Sequence, residues 1–165
     1  MSNIISIIFL ECSFFFISSP QEILKGKVVN VTDGNTIELL TEANETYKIE
    51  LAGVDCPETE QPFGSEAKRL LEKSLKGKMV EVFVERKNRW GIRQAVVLAK
   101  SGDDPRLKLL AEGLAWTSEK NAIPEFESIR IDAKDHRKGL WINEDPTPPW
   151  VFRRQQTMLT PKSSW

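Results

Sequence analysis

Histidine is nearly missing from this chain, with His136 the single example in 165 residues. It stands in a charged helical run, so zinc sites and histidine-based nucleophilic triads lack their material. Two cysteines, Cys12 and Cys56, are too few for a disulfide framework, and both read as unpaired. An overall basic excess is missing too. The formal net charge is -1 and the sequence pI about 6.0, which argues against a uniformly basic nucleic-acid binder. That average hides an asymmetry, because Glu66 to Lys100 carries ten Lys or Arg against four Glu, a net +6. Such a segment can face phosphates, or it can be a solvated helix face followed by strand ends. The length suits one domain with its own core plus tails.

Long apolar runs are confined to the N-terminus, where Ile4 to Leu10 and Phe14 to Ile17 precede Ser18-Ser19-Pro20. The length fits the apolar region of a secretory signal better than a membrane span. Against this, no Lys or Arg precedes the run and Glu11 interrupts it. Residues 1–22 are therefore read as a signal peptide or membrane anchor, giving a secreted, periplasmic or membrane-attached protein. A misassigned start would leave it cytoplasmic.

Beyond residue 22 the chain alternates in a strand-like way over Gly26 to Val31, Thr36 to Thr41 and Thr46 to Ala52. Thr32-Asp33-Gly34-Asn35 and Glu42-Ala43-Asn44-Glu45 supply the turns of an antiparallel meander. Gly64 to Leu75 has Ala67, Leu70, Leu71 and Leu75 at helical spacing, with Gly77 just past its end. Met79 to Val84 and Gln94 to Ala99 read as two more strands, and Pro105 to Glu112 and Glu125 to Lys138 as helices ending at Gly113 and Gly139. Five strands and three helices in this order predict an α+β fold dominated by a small barrel of the oligonucleotide/oligosaccharide-binding kind, over residues 23–145. Residues 146–165, opening with Pro146-Thr147-Pro148-Pro149-Trp150, are predicted to be an extended tail.

The densest chemistry lies in Gly53-Val54-Asp55-Cys56-Pro57-Glu58-Thr59, where two carboxylates flank a rigid proline directly after a strand. Such a pair can hold a hard cation or act as a base. Together with Asp33-Gly34-Asn35-Thr36, Arg89-Trp90-Gly91, Gly113-Leu114-Ala115-Trp116 and Gly139-Leu140-Trp141, it resembles the staphylococcal nuclease (thermonuclease-like) family in order and spacing. The resemblance runs from about Gly26 to Trp150, and Pro148-Pro149-Trp150 with Arg153 is similar to the tail after many such domains. It implies a calcium-dependent phosphodiesterase acting on DNA and RNA. In that family carboxylates and a backbone carbonyl hold Ca2+, a Glu helps activate water, and two Arg stabilise phosphate charge.

Carried over residue by residue, Asp55 is the calcium-binding Asp, Cys56 offers its backbone carbonyl, and Glu58 is the catalytic Glu. Asn35 stands where the family has a second calcium Asp, Glu50 where it has the first catalytic Arg, and Ile92 where it has the second. Arg93 comes one position late, and one step along a strand reverses the face unless a bulge turns it. Lys48, two before Glu50, shares its face and can reach a phosphate or pair with Glu50. Trp90 and Arg89 are candidate nucleic-acid contacts, with a barrel-capping aromatic as the alternative for Trp90. Cys56 reads as a small loop residue rather than a reactive thiol, because no His adjoins it in sequence.

The residues leave two readings open. One is an impaired or inactive nuclease homologue that binds single-stranded DNA or RNA, or a protein partner, as a monomer and without need of calcium. The other is a weak or divergent calcium-dependent endonuclease built on Asp55, Glu58, Asn35 and either Arg93 or Lys48.

Overall fold

In the computed structural model of this protein, residues 21–119 and 123–159 are described. All but the last two residues of the expected signal segment 1–22 therefore lie outside the described residues, as do the last six of the tail. Five strands close into a barrel: β1 (Ile23–Val31), β2 (Thr36–Thr41), β3 (Thr46–Leu51), β5 (Met79–Lys87) and β6 (Arg93–Ala99), in the order β1-β2-β3-β6-β5. A second, two-stranded sheet pairs β4 (Val54–Asp55) with β7 (Trp116–Thr117). Helices are α1 (Gly64–Leu75), α2 (Pro105–Ala111), α3 (Pro124–Asp135) and α4 (Pro149–Leu159), with a 3-10 turn at Gly139–Ile142.

The barrel is the one the alternation predicts. Val28, Val31, Ile37, Leu39, Ile49, Val82 and Val97 are all essentially inaccessible and form its interior. Neighbouring strands are antiparallel except β3 and β6, which run parallel with Glu50 opposite Gln94. That parallel pair needs a long crossover, and α1 with β5 supplies it. β5 then closes on β1, from Ile23 opposite Phe83 to Lys27 opposite Met79. Register shifts at Val28/Asn30 and Val84/Arg86 add local twist, which helps so few strands curl shut.

α1 seals the barrel with Ala67, Leu71 and Leu75, one apolar stripe at i, i+4, i+8. α2 begins on an Asp104 side-chain cap to the Arg106 N–H, followed by Pro105 at its first position. Buried Arg106 is held by Asp104 at 2.7 Å and donates to the Ala52 carbonyl at 2.9 Å, fastening α2 to the end of β3. A smaller apolar cluster of Ala133, Leu140 and Trp141 takes in Phe63 and Trp116. There the chain crosses itself closely: a Cβ on Gly113 would fall 2.2 Å from the Lys138 carbonyl oxygen.

Two expectations are corrected. The third helix ends at Asp135 rather than Lys138, and Arg137 at positive φ turns the chain into the 3-10 segment. The segment 146–165 is not extended throughout, because α4 runs from Pro149 to Leu159. Proline lacks an N–H that the first helical position does not need, so Pro149 begins this helix instead of preventing it. Among the described residues, no helix is long and apolar enough to cross a membrane.

Candidate functional site

The β1–β2 turn is the floor of the site. Asp33 Oδ1 accepts the Asn35 N–H at 3.0 Å, and the Asn35 carbonyl accepts the Leu51 N–H at 2.8 Å, tying the turn to the end of β3. Gly34 lets this turn press inward: a Cβ there would lie 2.6 Å from the Cys56 Cβ and 2.7 Å from the Ala67 Cβ. Asn35 Oδ1 then faces the Cys56 N–H at 3.4 Å. The turn, the acidic loop and α1 are thus locked together by one missing side chain.

Asp55 is placed by β4, where it pairs with Trp116 of β7. Cys56 and Pro57 are buried beneath the loop, and Glu58 emerges beyond them. Gln61, only 8% exposed, accepts the Glu58 N–H at 2.9 Å and donates to the Thr147 carbonyl at 2.9 Å. One side chain thereby joins the acidic loop to the segment leading into α4.

α4 completes the site. Trp150 lies edge-on to Trp116, ring centroids 5.7 Å apart, and Arg153 comes three residues later on the same helical face. Its Nη1 donates to Asp55 Oδ1 at 3.1 Å and to Glu58 Oε1 at 2.7 Å, and its Nη2 to Asp55 Oδ2 at 2.7 Å. The side chains of Asp55 and Glu58 are 18% and 31% exposed, that of Arg153 49%. Hydrogen bonds to Asp55 and, after an opposing effect of burial, to Glu58 raise the Arg153 guanidinium above its ordinary range, so its charge is permanent. Burial, followed by the charges of Asp55, Asp33 and Glu58, pushes the Cys56 thiol well up, which makes it inert.

A cavity of about 420 Å³ opens here. It brings together Asn35, Lys48, Glu50, Asp55, Cys56 and Glu58, and adds Asp33, Gln94, Ser118 and Arg153, none of which the sequence marks as a contact. Glu50 accepts from Gln94 Nε2 at 3.4 Å across the parallel strand pair; no ion pair joins it to Lys48 among the described residues.

Arg93 is not in the cavity. It belongs to the inward-facing set of β6 with Ala95, Val97 and Ala99, so it enters the barrel end. There its Nε donates to Glu22 at 2.9 Å and its guanidinium stacks 4.0 Å from the Tyr47 ring centre. The bulge that would turn Arg93 to the acidic pair is absent from β6 as described, the shift lying in β5 at Val84/Arg86. Ile92 and Trp90 sit in the β5–β6 loop, both backbone N–H groups held by Asn88 Oδ1. Trp90 is 71% exposed, with Arg89 stacked 4.2 Å from its centre, so it is an open platform and not a cap on the barrel.

The donor set does not suit calcium while Arg153 is seated. Calcium takes about 6 to 8 oxygen ligands. Both Asp55 oxygens and one of Glu58 accept from Arg153, Asn35 Oδ1 faces Cys56, and Asp33 Oδ1 caps Asn35. Among the described residues, no three His, Cys, Asp or Glu side chains converge as a metal cluster. The cation these carboxylates hold is a guanidinium.

Residues 48–143 match the family described as staphylococcal nuclease homologue. A protein of Escherichia coli O157:H7 named uncharacterized endonuclease is 31% identical over 134 residues, covering 81% of this chain and 87% of that protein. A Haemophilus influenzae protein of the same name is 30% identical over 131 residues, 79% of this chain and 73% of its own. A micrococcal nuclease of Shigella flexneri is 31% identical over 147 residues, 82% of this chain and 84% of that protein.

Proposed function

This chain belongs to the staphylococcal nuclease homologue family, and from that premise we propose that it binds single-stranded nucleic acid without cleaving it. The observation that carries the reading is Arg153, whose guanidinium occupies both Asp55 oxygens and one Glu58 oxygen, so that a metal ion held by Asp55 would have to displace it. Where the resemblance implies two arginines for the phosphate, this chain has Glu50 and Ile92. Loss of one preorganised donor of this kind costs roughly 100-fold to 1,000-fold in rate. Two losses act in the same direction without simple addition.

Binding has better support than cutting. The exposed Trp90 face, backed by Arg89, suits base stacking, worth about 1–3 kcal/mol per base and tolerant of sequence. Its loop leads straight into β6, whose Gln94 lines the cavity.

The test incubates the full chain with labelled single-stranded DNA and RNA, in calcium and in chelator, and reads both anisotropy and fragment length. The expected result is binding with intact strands under both conditions. Calcium-dependent fragments that disappear in Glu58→Gln, or no binding to either strand, would overturn the reading.

A further inference from the structure

The acidic pair has consumed only part of the guanidinium it holds. Arg carries five N–H donors in a planar fork. Nη1 uses both of its own, on Asp55 Oδ1 and Glu58 Oε1, and Nη2 uses one on Asp55 Oδ2. The donors not taken by these carboxylates are Nε–H and the second Nη2–H. They lie side by side on one edge of the guanidinium plane and match two oxygens of a phosphate. The side chain is 49% exposed and lines the cavity.

We infer that Arg153, oriented by Asp55 and Glu58, is the phosphate contact of this site: α4 supplies in cis a two-donor fork for a phosphodiester, and the acidic pair positions that fork. The inference rests on the proposed binding of nucleic acid and names the residue that reads the backbone. Rotation of the guanidinium is restrained by three hydrogen bonds, and the helix carrying it is fixed by Trp150 on Trp116 and by the Gln61 bridge to Thr147. The entropy of holding a long side chain in one geometry is therefore met before the ligand arrives.

The charge balance decides what kind of binding this is. Asp33, Glu50, Asp55 and Glu58 outnumber Lys48 and Arg153 around the cavity, leaving the lining net negative. Long-range attraction of an anion is thus absent, and a phosphate is admitted only through a directed contact. The salt dependence at this site should be that of about one phosphate, a slope near -0.7 for a single strand.

The experiment uses the full chain and two readouts. One is the 15N–1H signal of the Arg153 Nε–H, identified by its absence in Arg153→Lys, during titration with inorganic phosphate and separately with a 12-nucleotide single-stranded DNA. The other is oligonucleotide affinity against salt for the parent, Arg153→Gln and Arg153→Lys, with thermal melts to confirm folding. The expected result is a saturable shift with the oligonucleotide, with Arg153→Gln weakening binding roughly 10-fold or more, as for loss of a charged hydrogen-bond pair. Its salt slope should drop by about 0.7. Arg153→Lys should recover the slope and not the affinity, because a point charge lacks the fork. If the parent binds DNA while the Nε–H signal stays still and Arg153→Gln binds equally, the inference falls and the binding reading stands. If the parent binds no nucleic acid yet inorganic phosphate moves the signal, the reading falls and the contact survives as a free-anion site. Silence to both ligands removes both.

Discussion

Replacing Gln61 by Ala should loosen the site although Gln61 does not line the cavity. Gln61 is 8% exposed and makes two hydrogen bonds of 2.9 Å, accepting from the Glu58 N–H and donating to the Thr147 carbonyl. Each such bond contributes about 1 kcal/mol net, so losing both costs about 2 kcal/mol. For a chain of this size the melting temperature should fall by about 4–8 °C. The loss is directional as well. Thr147 stands two residues before Pro149, so amide exchange in α4 should quicken more than in the barrel strands. Gln61→Glu keeps the acceptor for Glu58 but sets a carboxylate against the Thr147 carbonyl, so it should free α4 while sparing the acidic loop. Urea unfolding followed by Trp fluorescence gives the first quantity, and residue-resolved hydrogen exchange the second. A stability loss under about 0.5 kcal/mol, the range of an ordinary surface change, together with unaltered exchange in α4, would refute the bridge.

Gly34→Ala should destabilise by about 1–3 kcal/mol in urea, as overpacking does, because the new Cβ meets Cys56 and Ala67 well inside contact distance; unchanged stability would contradict the packed turn. Cys56 should stay unalkylated by iodoacetamide in the native protein at pH ~8 and react once unfolded, read by peptide mass spectrometry, since burial holds its thiol far above the ordinary range. The Arg130 hydrogen bond, aided by the Thr117 hydroxyl against the cost of burial, lowers the pKa of Glu127, which links α3 to β7. A lowered carboxylate stabilises the fold above its unfolded value and loses that contribution as pH falls through the folded one. Glu127→Gln should thus be less stable than the parent at neutral pH, with the gap closing toward pH ~3 in pH-dependent unfolding. A gap that stays constant would contradict the assignment.

The barrel is legible in the sequence because its strands carry a period-2 pattern that only a half-buried strand uses. Ile37, Leu39 and Ile49 show it plainly, and α1 shows the competing helical period in Ala67, Leu71 and Leu75. Pro105 reads correctly as a helix start, yet Pro149, in the same position of α4, reads locally as a barrier to helix. The difference is context: Pro146 and Pro148 nearby argue for extended chain, and nothing local reports that Trp150 has Trp116 to pack on. The acidic half of the site is readable from Asp55 and Glu58, since both lie in one short motif. Arg153 is not, because 98 residues separate it from Asp55 and no periodicity encodes a contact of that range. A hint is present in the spacing of Trp150 and Arg153, which puts an apolar anchor and a cation on one helix face. Arg93 is legible for the converse reason, since one step along the strand reverses its face and the same parity sends it into the barrel end.

The seating of Arg153 between the two carboxylates underlies both the proposed binding and the inferred phosphate contact. A double-mutant cycle on Asp55→Asn and Arg153→Gln measures it directly, from the unfolding free energies of the parent, each single variant and the pair. The side chains are partly exposed but the contact is bidentate, so a coupling of about 1 kcal/mol, the upper end for pairs near solvent, is expected. Additivity within about 0.3 kcal/mol would mean that Arg153 does not occupy the acidic pair in solution.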